Sequence, residues 1–331
     1  MHRALALAAL LILGSRSGAQ EIKVDPAFPA YRPAPPLAAR LTTIGSDSLL
    51  EVMRRWAALL HAAHPDVTID IQPKGSDRAA QALIDGTSNF AYAGRTMPEN
   101  EIALLTKAWG YPPLRILASG ADLHKPTTTH PQVVWVNARN PLGALTLQQV
   151  DAIFSSTRRR GGEKLVTTWG ELGLGGEWAS APIHKFALNA TGGPGIYLTE
   201  TVLLNGEWDP GVKQIREEKV VPEGVALDPY AIGLTGWPYG TPEVRALALS
   251  VTGDAGYVAP SVSSVLNRSY PLSRFNYIYL RKKPGEPLDP VMKELLHVIL
   301  SRQGQEAAVQ SHYLPLPAEM LLQELALVDA M

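Results

Sequence analysis

The chain has 331 residues, a formal net charge of −1 and no cysteine. That length supports two compact lobes with separate cores, and the balanced charge removes the electrostatic case for nucleic acid or an anionic membrane surface. Without thiols there is no disulfide framework and no cysteine-linked lipid anchor. Residues 1–19 read as a secretory signal, with Arg3 as its charged start, an apolar core over 4–13 and Ser17-Gly18-Ala19 as a small-residue cleavage site. That apolar run falls short of the roughly 18–20 residues that span a bilayer. Export with neither a lipid nor disulfides points to a bacterial periplasm.

Residues 20–40 hold Pro26, Pro29, Pro33, Pro35 and Pro36 and read as a mobile or extended tether. Strand-like and helix-like patterns then alternate. Residues 41–44 read as a strand, and Leu49, Val52, Met53, Trp56, Leu59 and Leu60 recur at helical spacing. Residues 67–71 alternate as a strand, 79–84 follow as a short helix, 90–93 as a strand, and 99–109 as a helix opened by Pro98. A polar insertion over 124–131 interrupts the pattern before a strand at 133–136 and a helical face from Leu147 to Phe154. Residues 155–180 read as a long surface loop, 183–188 as a strand, and a helix is predicted from the glycine turn at 192–193 through Leu204. Near the end come a strand at 276–280 and helices marked by Val291, Leu295, Leu296 and Ile299 and by 306–310. Strand-helix alternation of this kind predicts an α/β fold with mostly parallel strands.

Three turns in this layout share one design: Gly45-Ser46-Asp47-Ser48, Gly75-Ser76-Asp77 and Asn189-Ala190-Thr191-Gly192-Gly193. Each follows a strand-like run and opens a helix, so each exposes unpaired backbone N–H groups at the positive end of a helix dipole. One such turn is an ordinary cap; three in one exported chain predict an anion-binding cleft.

These residues resemble the periplasmic phosphate-type solute-binding proteins of ABC transporters. The resemblance spans roughly residues 41–318, and rests on the first two turns, on residues 86–97 and 145–155, on Tyr270-Pro271-Leu272-Ser273-Arg274-Phe275, on residues 300–306 and on Tyr313-Leu314-Pro315-Leu316-Pro317. It implies two lobes of mixed sheets flanked by helices, with the ligand cleft between lobes joined by two crossing strands. Lobe one would comprise residues 41–117 and 280–331, and lobe two residues 118–279 with the crossing strands. It also implies a monomer that holds a small anion, phosphate foremost, and docks on an inner-membrane ABC permease. Ligand contacts would come from Ser46, Asp47, Ser48, Gly75, Ser76, Asp77, Asn189, Thr191, Gly192 and Gly193.

The chain departs from that family at two places. The third turn of phosphate binders carries an arginine and a Ser-Gly-Thr-like run, where this chain has Leu188, Gly192, Gly193 and Pro194. Three lost hydrogen bonds to a charged group would remove about 5–9 kcal/mol, enough to take a nanomolar site to micromolar or weaker. Some members also place an aspartate at the position of Gly94. Ala93-Gly94-Arg95 looks like a branch without it, which leaves Arg95 as the expected bidentate contact to an oxyanion, with Lys185 and Asn189 as partial compensation.

No cofactor is expected. The histidine pairs His61/His64 and His124/His130 each lack a third ligand, and the glycine runs at 173–176 and 192–195 lack the spacing of a dinucleotide loop. A nucleophile elbow is absent as well. Two other readings remain: a sensor or scaffold with an eroded ligand site, and a secreted phosphatase-like hydrolase.

Overall fold

In the computed structural model, which describes residues 22–331, the apolar patterns build two five-stranded sheets, each with its own core. The chain begins with β1 (Ala38–Gly45), α1 (Leu50–Ala63), β2 (Asp66–Pro73), α2 (Ala79–Ile84), β3 (Phe90–Ala93), α3 (Glu99–Trp109) and β4 (Leu114–Gly120). It continues with β5 (Gln132–Asn137), β6 (Ala144–Thr146), α4 (Leu147–Phe154), β7 (His184–Leu188), α5 (Gly193–Thr201) and β8 (Val212–Ile215). After α6 (Val220–Leu227) come β9 (Ala231–Gly236), β10 (Val244–Ala246), β11 (Ala248–Ser250) and α7 (Val262–Leu266). It returns through β12 (Phe275–Leu280), α8 (Pro290–Ile299), α9 (Arg302–Gln310) and α10 (Ala318–Asp329).

The first sheet has the order β2-β1-β3-β12-β4, with β1 parallel to β2 and β3, and β12 antiparallel to β3 and β4. Every residue of β3 and β12 is buried, as befits central strands covered on both faces. Trp56 and Leu60 of α1 and Leu295 and Ile299 of α8 complete this core. The second sheet has the order β10-β5-β9-β7-β8, parallel from β9 through β7 to β8 and antiparallel at β10 and β5. Its core gathers Val134, Phe154, Trp169, Leu198 and Leu234. The sheets are therefore mixed, and the mostly parallel pattern expected from alternation holds only for part of each.

Local chemistry sets the helix ends. Thr146 and Gln149 form a reciprocal capping box on α4, Asp289 accepts from Val291 N and Met292 N at the start of α8, and α3 stops at the left-handed Gly110. The helix expected to run through Leu204 ends at Thr201, because Leu204 and Asn205 turn into positive φ (50° and 58°).

The strands β4 and β12 pair over their full length in the first sheet, so the chain leaves that sheet after Gly120 and re-enters it at Phe275. The proline-rich stretch, over its described part, is extended and docks as a strap on the first lobe. Val24 and Phe28 pack on the first core, Pro29 O accepts from Arg302 N at 2.8 Å, and Tyr31 N donates to Gln303 Oε1 at 2.9 Å. Its prolines keep it extended while two aromatic rings anchor it. The expected signal at 1–19 lies outside the described residues. Among the described residues no helix is long and apolar enough to cross a membrane.

Candidate functional site

The three turns lie where their strands end. From β1 the chain passes through Ser46 (φ −68°, ψ 130°) into a tight turn, Asp47–Leu49, that leads into α1. From β2 it passes through Gly75, whose φ of +89° suits only glycine, into Ser76–Arg78 and α2. From β7 it reaches Gly192, the cap of α5, with Pro194 in the first turn. The N–H groups of Asp47, Ser48, Ser76, Asp77 and Gly193 find no acceptor within the described residues.

All three turns border one cavity of about 430 Å³ between the lobes. Ser46, Asp47, Ser48, Gly75, Ser76 and Asp77 line it from the first lobe, and Thr191, Gly192 and Gly193 from the second. Asp47 and Asp77 are exposed at its edge. Asn189 does not reach it; its Oδ1 accepts from Thr191 Oγ1 at 2.6 Å and holds that residue in place.

Arg95 borders the cavity, but its fork is already occupied. Nη2 donates to Glu101 Oε1 at 2.7 Å and Nη1 to Glu101 Oε2 at 3.3 Å, with Nη1 also donating to Thr96 O at 3.0 Å. The expected bidentate contact with a ligand is thus made instead with a carboxylate of the same lobe. Lys185 forms an ion pair with Asp209 and does not border the cavity.

Residues not predicted complete the wall. The polar insertion places Thr127, Thr128, Thr129 and His130 in the cleft, and the second lobe adds Glu218. Ser48 Oγ and Thr129 Oγ1 are 3.1 Å apart, and Tyr313 Oη donates to Ser48 O at 2.6 Å. Arg274, just before β12, also borders the cavity; it is 5% exposed and donates from Nη2 to Gly94 O at 2.7 Å. The density of threonines between two lobes was the available signal for the insertion; Arg274 stood inside a motif whose partner was unknown.

The wall also holds a carboxylate that accepts hydrogen bonds, Glu218. His130 Nε2 lies 2.9 Å from Glu218 Oε2 and Nδ1 lies 2.8 Å from Thr128 O, so the ring bridges the insertion and the second lobe. Burial acts to raise the Glu218 pKa, but the hydrogen bond and charge of His130, the charge of Arg274 and the Thr235 hydroxyl outweigh it and hold the carboxyl below its ordinary range. Glu218 is therefore an ionised acceptor in the wall. Among the described residues, no group of three or more His, Cys, Asp or Glu is placed to hold a metal.

A family model described as a PBP superfamily domain matches residues 32–303. The chain belongs to that superfamily. Within it, the chain is 35% identical over 320 residues to the phosphate-binding protein PstS of Pseudomonas aeruginosa, spanning 97% of this chain and 96% of that relative. The protein SphX of Synechococcus elongatus is 23% identical over 286 residues, 85% of this chain and 79% of its own length. Among solved structures, PstS from Borrelia burgdorferi matches with a TM-score of 0.62 at 12% identity, covering 84% of this chain and 99% of that one. An ABC-type phosphate transport receptor from Vibrio cholerae matches with a TM-score of 0.60 at 18% identity, covering 83% and 99%. At such identities the likeness speaks for the fold, and the fold of this superfamily member is the two-lobed α/β arrangement described above.

Proposed function

We propose that the protein is a periplasmic solute-binding protein that captures phosphate between its lobes for ABC-type import. The observation that carries this reading is the convergence of three helix starts, from both lobes, on one cavity. Their free N–H groups and dipoles favour an anion, and the hydroxyls of Ser46, Ser48, Ser76, Thr129 and Thr191 add donors. The names of its relatives in Pseudomonas and Vibrio supply the choice of phosphate. One carboxylate, Glu218 or else Asp47 or Asp77 at the edge, accepts a hydrogen bond from the proton that phosphate keeps near neutral pH. The closed monomer then docks on a membrane permease.

Calorimetry on unfolded, washed and refolded protein tests this reading. Saturable one-to-one heat is expected with inorganic phosphate. Silence with phosphate, sulfate, molybdate and small carboxylates alike would favour a scaffold with an eroded site.

A further inference from the structure

The third turn lacks the arginine that its family uses, the terminal nitrogens of Arg95 are tied to Glu101 and Thr96, and Lys74 borders the cavity from an exposed position. Two buried guanidiniums, Arg95 and Arg274, border the cavity with Nε unpartnered among the described residues; both terminal nitrogens of Arg95 are engaged, whereas Arg274 has one terminal nitrogen, Nη2, in a hydrogen bond. Of its five N–H donors, Nη2 is bonded to Gly94 O, and Nε is buried with no hydrogen-bond partner. Burial disfavours its charge; Tyr197, Glu218 (already bonded to His130 and Thr235) and Tyr313 offset this in part, and Arg95 repels it. A buried cation with so little compensation is strongly unfavourable by itself and is relieved by an anion placed beside it.

Its position also matters. Arg274 stands where the chain re-enters the first lobe, fixed on that side by Gly94 of the segment after β3. On the other side its Cζ lies 5.2 Å from the ring of Tyr197 in α5, and Tyr197 Oη donates to Ser273 O at 2.9 Å. Both lobes therefore hold this side chain at the crossing.

We propose that Arg274 is the ligand's principal charge contact, supplied from the crossing between lobes in place of the arginine missing at Leu188. This rests on the anion-capture reading above. The anion would meet helix starts on either side and Arg274 at the base, so charge neutralisation is linked to the relative position of the lobes.

The test uses the full mature chain and inorganic phosphate. Arg274→Gln is expected to bind about 100-fold more weakly than the wild type, as for loss of a charged hydrogen-bonding pair, with Arg274→Lys between them. Circular dichroism and melting report whether each variant folds. If Arg274→Gln does not fold, the Nε–H resonance of Arg274 in the wild type, assigned by its absence from Arg274→Lys, is expected to move on phosphate saturation. A wild type that binds phosphate while folded variants keep its affinity within about threefold, or while that resonance stays still, overturns this inference alone. A wild type that binds no phosphate overturns the proposed function as well.

Discussion

The hydroxyl of Thr129 fills the space beside Gly94: a Cβ on that glycine would overlap Thr129 Oγ1 and lie 3.3 Å from its Cβ and Cγ2. This is the position at which some phosphate binders carry an aspartate. Here the insertion between the lobes delivers a threonine into the same volume and hydrogen-bonds it to Ser48. Gly94→Ala is expected to cost about 1–3 kcal/mol by overpacking, measured by urea unfolding. In the double variant with Thr129→Ala part of that cost should be recovered, because the overlapping oxygen is gone. Strictly additive costs would show that the two positions do not compete.

How much of this was legible follows from which signals are local. The helix α3 could be read because Pro98 and Gly110 punctuate it, and the three turns because glycine and serine chemistry is written in consecutive residues. The helix α6 could not, because Pro222 and Gly224 lie inside it. Gly224 is needed there because a Cβ would come within 2.8 Å of the Phe186 ring, and Gly233 of β9 yields in the same way to Val221 and Val225. The site divided likewise. Ser48, Ser76 and Gly193 belong to local motifs, whereas Thr129, Glu218 and Arg274 meet only because the chain crosses twice between lobes. The pairing of Arg95 is not visible in the sequence because Glu101, six residues on, is a partner that only the start of α3 brings into reach.

Glu218 should set the choice between oxyanions. An ionised carboxylate only accepts hydrogen bonds; phosphate can donate its remaining proton, while sulfate has none and is repelled. Glu218→Gln is expected to narrow the preference for phosphate over sulfate by at least about tenfold, the scale of one charge-assisted hydrogen bond. Parallel calorimetric titrations with the two anions measure it, and an unchanged ratio would remove Glu218 from selectivity.

Glu200 gives the fold a pH dependence near neutrality. Burial raises its pKa from the ordinary 4.5 to about 7; Arg95 pulls it down and Glu101 adds to the rise. The folded chain therefore holds this proton more tightly than the unfolded chain. The associated stability is fully present below about pH 4.5 and is lost as pH rises through about 7. Glu200→Gln should melt higher than the wild type at pH 8, with the gain shrinking toward pH 5. An equal difference at both pH values would rule out this titration as the cause.

The strap is held by a buried carboxylate. Tyr31 Oη donates to Glu294 Oε2 at 2.5 Å, Ala34 N donates to the same oxygen at 3.2 Å, and His64 Nε2 lies 3.0 Å from it. Leu37 N donates to His64 Nδ1 at 3.3 Å, which leaves the ring proton on Nε2. Burial works to raise the Glu294 pKa, but these donors and His297 outweigh it and hold the group below its ordinary range. The stability they give is present above the ordinary carboxylate range and is lost as pH falls through the depressed value. Tyr31→Phe should cost about 1–3 kcal/mol at pH 7, and less in acid. A cost independent of pH would place Tyr31's contribution in packing alone.

The most direct test follows the backbone amides of Ser48, Ser76 and Gly193 by nuclear magnetic resonance during a phosphate titration of ligand-stripped protein. All three resonances should shift together and saturate with a single dissociation constant, since they belong to both lobes and face one cavity. Shifts confined to one lobe, or none at saturating phosphate, would contradict capture of the anion between the lobes.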